Sequence, residues 1–428
     1  MAKQGPFQGL FPGWKVVLGS GVGISFGSAP VFATGFALFG SAIAHDFGWT
    51  QPEVARAATL FLLLQTLIYP FCGWPLDRFG SRRFAMYSIT AFAVSLIILS
   101  QIGNSLTQFY LAFALMGLIS AGTNVLSYAR AIALWFNRKR GLALGLAASA
   151  QAVGSFVIPI VGQKLIANHG WSTALLVLAV FELVVCLPLV GWLVKDSPVP
   201  YGLRADGDDP AESVVAAQAA DTGMEVAEII RTATFWKLAV AFALIGMSFY
   251  AIVPNIVYIL TKTASLSHAE VAKVQAAGGV AVLFGRICFG YLLDRVHAPY
   301  VGVLTVVISA CCALVYGNVS GHAVIYVAAI LSGFAIGGET DLLPYLASRY
   351  FGTKSVSKIF AWFLFAFFLG ATVGPTAFAQ ISAAYDSVTT PLFMLAILQI
   401  IPALLFLSLG AYPAAPVPAQ SEALAKAA

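Results

Sequence analysis

Long apolar runs, each ended by a short polar stretch, repeat along the whole chain. A helix that crosses a hydrocarbon core needs about 20 apolar residues. On that criterion the pattern predicts twelve helices, at 14–40, 52–72, 84–103, 107–135, 141–167, 171–194, 235–262, 269–293, 299–317, 322–349, 357–384 and 390–412. The longest polar interruption, 195–234, separates six helices from six. Its middle, Asp206 to Asp221, is small and polar and reads as a solvated tether. Thr222 and Glu225 have the spacing of a capping box, which predicts a short amphipathic helix running along a membrane surface into Phe235 and Trp236. Residues after Tyr412 are rich in Ala and Pro and read as a disordered tail. The domain reading is therefore one six-helix bundle at 1–194, a linker at 195–234, a second bundle at 235–412 and a tail at 413–428.

Composition says what surrounds these helices. Of 428 residues, 60% are hydrophobic and 10% charged, with a mean hydropathy of +0.88. Soluble domains are about a quarter charged, and a single soluble core stops growing near ~250–300 residues. The fold class is thus an all-α, multi-pass membrane protein. The net charge of +5 is spread over many short loops and gives no reason to expect nucleic acid. Cys72, Cys186, Cys288, Cys311 and Cys312 sit inside apolar runs without metal or disulfide spacing, and read as packing residues. Residues 1–13 lack the short apolar stretch of a cleavable signal, so the first run is expected to stay as the first helix. The chain has no Gly-rich Lys-Ser/Thr phosphate loop and no His-Glu-x-x-His. An ATP-driven pump, a zinc enzyme, a metal and a cofactor are therefore not expected. A receptor would bring a sizeable signalling domain, and 195–234 is too short for one.

Charge also sets orientation. With the N-terminus in the cytoplasm, Arg56, Lys164, Lys262 and Lys273 lie outside, and Arg130 and Arg286 within spans. That leaves 17 of the 23 bases on the cytoplasmic side. The excess of bases inside places both termini in the cytoplasm of a plasma or inner membrane.

The two sets of six helices repeat each other. Trp14-Lys15 matches Trp236-Lys237, and Thr50-x-x-Glu53 matches Ser267-x-x-Glu270. Gly73-x-x-x-Asp77-Arg78 matches Gly290-x-x-x-Asp294-Arg295, Trp135-Phe136 matches Tyr350-Phe351, and Gly154-x-x-x-x-Pro159 matches Gly370-x-x-x-x-Pro375. A parallel repeat of this kind places a substrate site between the halves, near the bilayer midplane.

Gly73-Trp74-Pro75-Leu76-Asp77-Arg78-Phe79-Gly80-Ser81-Arg82-Arg83 resembles the G-x-x-x-D-R-x-G-x-R-R loop of the major facilitator superfamily. The resemblance covers the whole chain. It implies two pseudo-symmetric six-helix bundles, alternating access and a monomer. It also implies that Gly73, Asp77, Arg78, Gly80, Arg82 and Arg83, with the repeat mates Asp294 and Arg295, form a gate latch whose ion pairs break and re-form. Trp135-Phe136-Asn137-Arg138-Lys139-Arg140-Gly141-Leu142-Ala143 is similar to a loop of the monocarboxylate-porter and oxalate:formate-antiporter branch. Gly285-Arg286-Ile287-Cys288-Phe289-Gly290 resembles that branch's eighth helix, where the arginine holds the substrate carboxylate. The run Tyr345-Leu346-Ala347-Ser348-Arg349-Tyr350-Phe351-Gly352 resembles the end of the tenth helix in its bacterial members. Dicarboxylate carriers of the branch add a lysine in the eleventh helix. Here that helix reads Ala361-Trp362-Phe363-Leu364-Phe365-Ala366-Phe367-Phe368-Leu369-Gly370, without a cation. One cation and an aromatic wall suit a monoanion with an apolar body, unless the aromatics simply face lipid or pack in the core.

Five ionisable residues fall within spans: Arg130, Glu182, Arg286, Glu339 and Asp341. Such residues cost several kcal/mol and mark function by default. Arg286 lies eight residues before Asp294, about 12 Å at 1.5 Å per residue, and its planar fork matches a carboxylate. Either Arg286 is the anion site or it pairs structurally with Glu339 or Asp341. Arg130 either snorkels to the cytoplasm, pairs with an acid or adds an anion contact. Glu339 and Asp341 are candidate proton carriers or permanent ion-pair partners of an arginine. Glu182, in the sixth helix, reads as a structural residue. Gln65, Tyr69, Asn124, Tyr128, Asn255 and Tyr258 either line the substrate path or tie helices together. The expected function is a secondary transporter of a small organic monocarboxylate, symported with a proton. An organic-anion exchanger without net proton movement is the alternative.

Overall fold

The computed structural model describes residues 11–207, 225–318 and 321–412. The stretch 208–224, which holds most of the expected tether and Thr222, and the expected tail at 413–428 lie outside the described residues. Among the described residues all regular structure is helical, and nine helices are long and apolar enough to cross a membrane. Phe71, Phe156 and Trp192 are 70%, 71% and 72% exposed on the outside of the bundle. Apolar side chains so open to the surroundings suit lipid rather than water.

The helices depart from their predicted bounds where small residues or bulges intervene. The first does not stop at residue 40. It breaks at Gly27, passes through a π-helical segment Val31–Gly35 and continues as Phe36–Phe47. The second and third predicted helices join in one hydrogen-bonded run, Gln51–Ser100, bent at Gly80. Gln151–Phe181 bends in the same way at Gly170. Both glycines have a φ of +82°, in a region that only glycine enters without strain. The predicted 107–135 is interrupted after Leu106–Ile119 by a 3₁₀ turn, Ala121–Thr123, before Val125–Trp135. The predicted 235–262 is divided into Ala233–Ile252 and Ile256–Thr263, and Pro254, which lacks an N–H, lies in the gap. Capping boxes form at the repeat mates Thr50-x-x-Glu53 and Ser267-x-x-Glu270: the backbone N–H groups of Thr50 and Ser267 donate to Glu53 and Glu270. A third forms at Glu225–Glu228 and opens the short helix Val226–Ile229.

Three cores hold the molecule. One is confined to residues between Val31 and Ala179, and another to residues between Ala251 and Leu395. The third draws on both ends of the chain, from Val16 and Leu76 to Phe360 and Leu409. It sits where Arg140–Ser149 packs on His268–Leu293 and where Gln51–Ser100 packs on Val356–Ala384. An N-terminal and a C-terminal group of helices are thus joined at one end, and each keeps a private core at the other.

Candidate functional site

Arg286 stands between the two groups. Its backbone carbonyl lies so close to Gly145 of the N-terminal group that a Cβ there would collide with it. Its side chain is buried, and Nη1 donates to Asp341 Oδ1 over 3.1 Å. Arg286 is on His268–Leu293 and Asp341 on His322–Phe351, and Gly285 and Gly337 let these two helices touch backbone to backbone. Asp341 Oδ2 is buried without a hydrogen-bond partner. Glu339, two residues away and 3% exposed, points elsewhere: its Oε1 is also without a partner, and it lies within electrostatic range of Cys312 on the neighbouring helix. The arginine has thus selected one of the two acids.

The N-terminal group carries a polar and aromatic face of its own. Asn124 Nδ2 donates to Tyr69 Oη over 3.2 Å. The Tyr69 ring stacks on Phe368 of the C-terminal group, with centroids 5.4 Å apart and planes at 15°. Asn124 can reach Tyr69 because the helix breaks at Ala121–Thr123 and leaves Asn124 extended, with ψ near 180°. Tyr250 is tilted against Phe368, with centroids 6.2 Å apart and planes at 58°. The Arg286 guanidinium can hold a carboxylate, and Tyr69 and Asn124 can hydrogen-bond one.

The remaining uncharged candidates are placed elsewhere. Gln65 Nε2 donates to Ser28 and Ser120 hydroxyls over 3.3 and 3.4 Å, tying three helices together. Tyr128 is fully buried against Gly23, its hydroxyl unpartnered, within electrostatic range of Glu182. Glu182 opens a π-helical segment, Glu182–Cys186, and its buried carboxyl lies against the Cys186 thiol one turn on. Asn255 donates to Ala251 O of its own chain segment, over 2.9 Å, and Tyr258 is 46% exposed. Both follow the helix Ala233–Ile252, in the break that separates it from Ile256–Thr263 or within that second helix.

The latch motif lies at the joined end. Asp77 Oδ1 is 3.8 Å from Arg130 Nε, and Oδ2 is 3.6 Å from Lys358 Nζ. Arg130 thus faces an acid, and Lys358 brings a cation from the opposite group. Gly73 packs on the Lys358 backbone with no room for a Cβ. Gly80 lies against the Asp196 carboxylate, which accepts from the Arg82 N–H over 2.9 Å. Arg78 lies over the Trp74 ring, and Arg295 over Tyr291. Arg83, beside Arg82, is exposed.

Asp294 reaches the other group more directly. Its Oδ1 and Oδ2 accept from the N–H groups of Gly141 and Leu142, over 2.7 and 2.9 Å. It therefore caps the N-terminus of Arg140–Ser149, where a carboxylate meets unsatisfied donors. Burial pushes the Asp294 carboxyl above its usual range, against the pull of those two N–H groups. Buried Arg140 donates to Phe136 O, Ala133 O and Ser348 Oγ, and Arg349 donates twice to Asn137. The sequence alone assigns no role to Lys358, Arg140, Asn137 or Ser348, although Asn137 and Arg140 stand within a loop segment that carries the family resemblance. Among the described residues there is no cluster of three His, Cys, Asp or Glu side chains able to hold a metal.

Comparison with known proteins gives a family. The Major Facilitator Superfamily matches residues 19–375. The human protein named monocarboxylate transporter 12 is 27% identical over 290 residues, which are 61% of this chain and 54% of that protein. The MFS transporter asaE of Aspergillus flavus is 26% identical over 313 residues, 72% of this chain and 66% of its own length. YhjX of Escherichia coli, an uncharacterised MFS-type transporter, is 23% identical over 78% of this chain and 81% of its own. The chain spans about two thirds or less of asaE and of monocarboxylate transporter 12. A crystal structure of the human organic anion transporter MFSD10 superposes with a TM-score of 0.67 at 15% identity, covering 94% of this chain and all of that one. That likeness concerns the fold.

Proposed function

This chain belongs to the Major Facilitator Superfamily, whose members are multi-pass membrane transporters and not enzymes, and on that premise we propose that it carries a small organic monocarboxylate by alternating access, coupled to a proton. The observation that carries the reading is the buried Arg286–Asp341 pair, 3.1 Å apart. A substrate carboxylate competes with Asp341 for the guanidinium fork. Protonating Asp341 frees the fork and leaves no uncompensated charge buried. Arg286 therefore binds the anion, Asp341 takes the proton, and Tyr69 and Asn124 supply polar contacts. Two names among the relatives agree with a carboxylate or organic anion as cargo.

The architecture that goes with this reading has twelve spans in two pseudo-symmetric bundles, 1–194 and 235–412, joined by the 195–234 linker. The bends at Gly80 and Gly170 divide the two longest helices in support of that count. Close contacts also recur at the repeat offset: Gly117 on Phe61 and Gly333 on Gly278, Gly154 on Ser25 and Gly370 on Ala243. Both termini then lie in the cytoplasm of a plasma or inner membrane, and the Asp77 and Asp294 latches close that side. The protein works as a monomer.

The test is uptake of labelled pyruvate into proteoliposomes under an inward proton gradient. Wild type accumulates it, and Arg286→Ala, still folded, does not. Equal uptake by both would remove the carboxylate assignment. Asp341→Asn keeps pyruvate exchange and loses gradient-driven accumulation, whereas Glu339→Gln keeps both. Exchange without any gradient-driven accumulation in wild type itself would favour the anion-exchanger alternative.

A further inference from the structure

A cavity of about 280 Å³ opens in the C-terminal group, one helical turn from Arg286 at its nearest lining residue, Val282. Ser248, Gly279, Val282, Tyr316, Ser332 and Ile336 are among the residues that line it. Val282 lies four residues before Arg286, one turn or about 6 Å along the same helix face. Ile336, also in the lining, precedes Gly337, which packs on the backbone of both Val282 and Arg286. No Asp, Glu, Lys or Arg lines it among the described residues. Its polar groups are neutral: Tyr316 Oη and Ser332 Oγ share a hydrogen bond of 3.1 Å, and Ser248 Oγ, 2% exposed at the residue level, has no partner.

We infer that this cavity receives the uncharged body of the transported acid, and that the preferred substrate class is a monocarboxylate with a ring-sized or branched apolar body rather than a two- or three-carbon acid. The inference rests on the carboxylate reading of Arg286. A pyruvate held by the guanidinium leaves the cavity empty of apolar contact. A phenyl or branched body fills it and gains burial at ~25 cal/mol per Å². A second carboxylate or an ammonium group meets no opposite charge on its walls and is excluded by desolvation. Gly279 sets the room available. A Cβ built there meets nothing within 4 Å, so a larger side chain enters the cavity without moving the backbone.

The experiment compares uptake of phenylpyruvate and of pyruvate, as kcat/KM, in proteoliposomes of wild type, Gly279→Leu and Arg286→Ala. Leucine favours the helix over glycine, so the variant folds, which its melting temperature checks. Wild type prefers phenylpyruvate, and Gly279→Leu lowers the phenylpyruvate-to-pyruvate ratio tenfold or more. A ratio changed less than twofold, or a wild type that takes up pyruvate but not phenylpyruvate, overturns the cavity assignment and leaves the role of Arg286 standing. Uptake of neither acid above the Arg286→Ala background overturns both.

Discussion

Arg286 Nη1 and Asp341 Oδ1 lie 3.1 Å apart, on two helices packed backbone to backbone, with the side chains 11% and 2% exposed. Removing one partner of such a pair strands the other charge, at about 3–5 kcal/mol, whereas replacing both with apolar groups is often neutral. Arg286→Leu and Asp341→Leu are each expected to lower the melting temperature of the purified protein. The double variant is expected to regain most of the loss. Thermal unfolding of the four proteins in one detergent checks this, and additive losses would show that the two side chains do not act as a pair.

Which parts of this site could be read from the chain depends on what fixes them. Arg286 stands out because a cation deep in an apolar run is costly without an anionic partner, and Asp77 and Asp294 stand out because they end matching helices. The choice between Glu339 and Asp341 depends on helix rotation. Two residues apart on a helix point about 200° from each other, and only the packing of His268–Leu293 decides which one meets the arginine. Lys358 was hidden for a related reason. It meets Asp77 across more than 280 positions of chain, by the docking of one group on the other. The π-helical segments at Val31–Gly35 and Glu182–Cys186 leave no trace in a hydrophobic pattern, yet each rotates the helix beyond it. The break between Ala233–Ile252 and Ile256–Thr263 has the same effect on Asn255 and Tyr258, which polarity alone could not place.

The cap that Asp294 places on Arg140–Ser149 joins the two groups through two backbone donors. Asp294→Ala leaves the Gly141 and Leu142 N–H groups without acceptors and loosens this end. Hydrogen exchange of peptides covering 140–149 is expected to speed up in Asp294→Ala, with a smaller change in Asp294→Asn. The opposite cores, around Ile43 and Ile259, keep their protection. Uniformly faster exchange would mean general unfolding instead of a local release.

Gly80 and Gly170 share a φ of +82° but not their surroundings. A Cβ at Gly170 meets nothing within 4 Å, whereas one at Gly80 meets the Asp196 carboxyl at 2.8 Å. The backbone strain of a non-glycine residue there is about 1–3 kcal/mol. Gly170→Ala is expected to cost that alone. Gly80→Ala is expected to cost more, because it also displaces the acceptor of the Arg82 N–H. Melting temperatures rank the two, and an equal or reversed order removes Asp196 from the account of this turn.

The joined end closes through glycines whose neighbours are backbone and cannot swing away. A Cβ at Gly145 would strike the Arg286 carbonyl, and one at Gly290 would come within 2.6 Å of the Gly141 carbonyl. Each group nonetheless keeps a private core at the other end, so a side chain here disturbs the docking more than the folding of either group. Gly145→Val is therefore expected to hold this end apart, abolishing both uptake and exchange while the purified protein stays helical and monodisperse. Spin labels at positions 139 and 354, on opposite sides of the seam, report the separation. Their distance distribution shifts outward in Gly145→Val relative to the glycine protein. An unchanged distribution with lost transport would place the defect at the Arg286 site itself, because Gly145 also touches that residue.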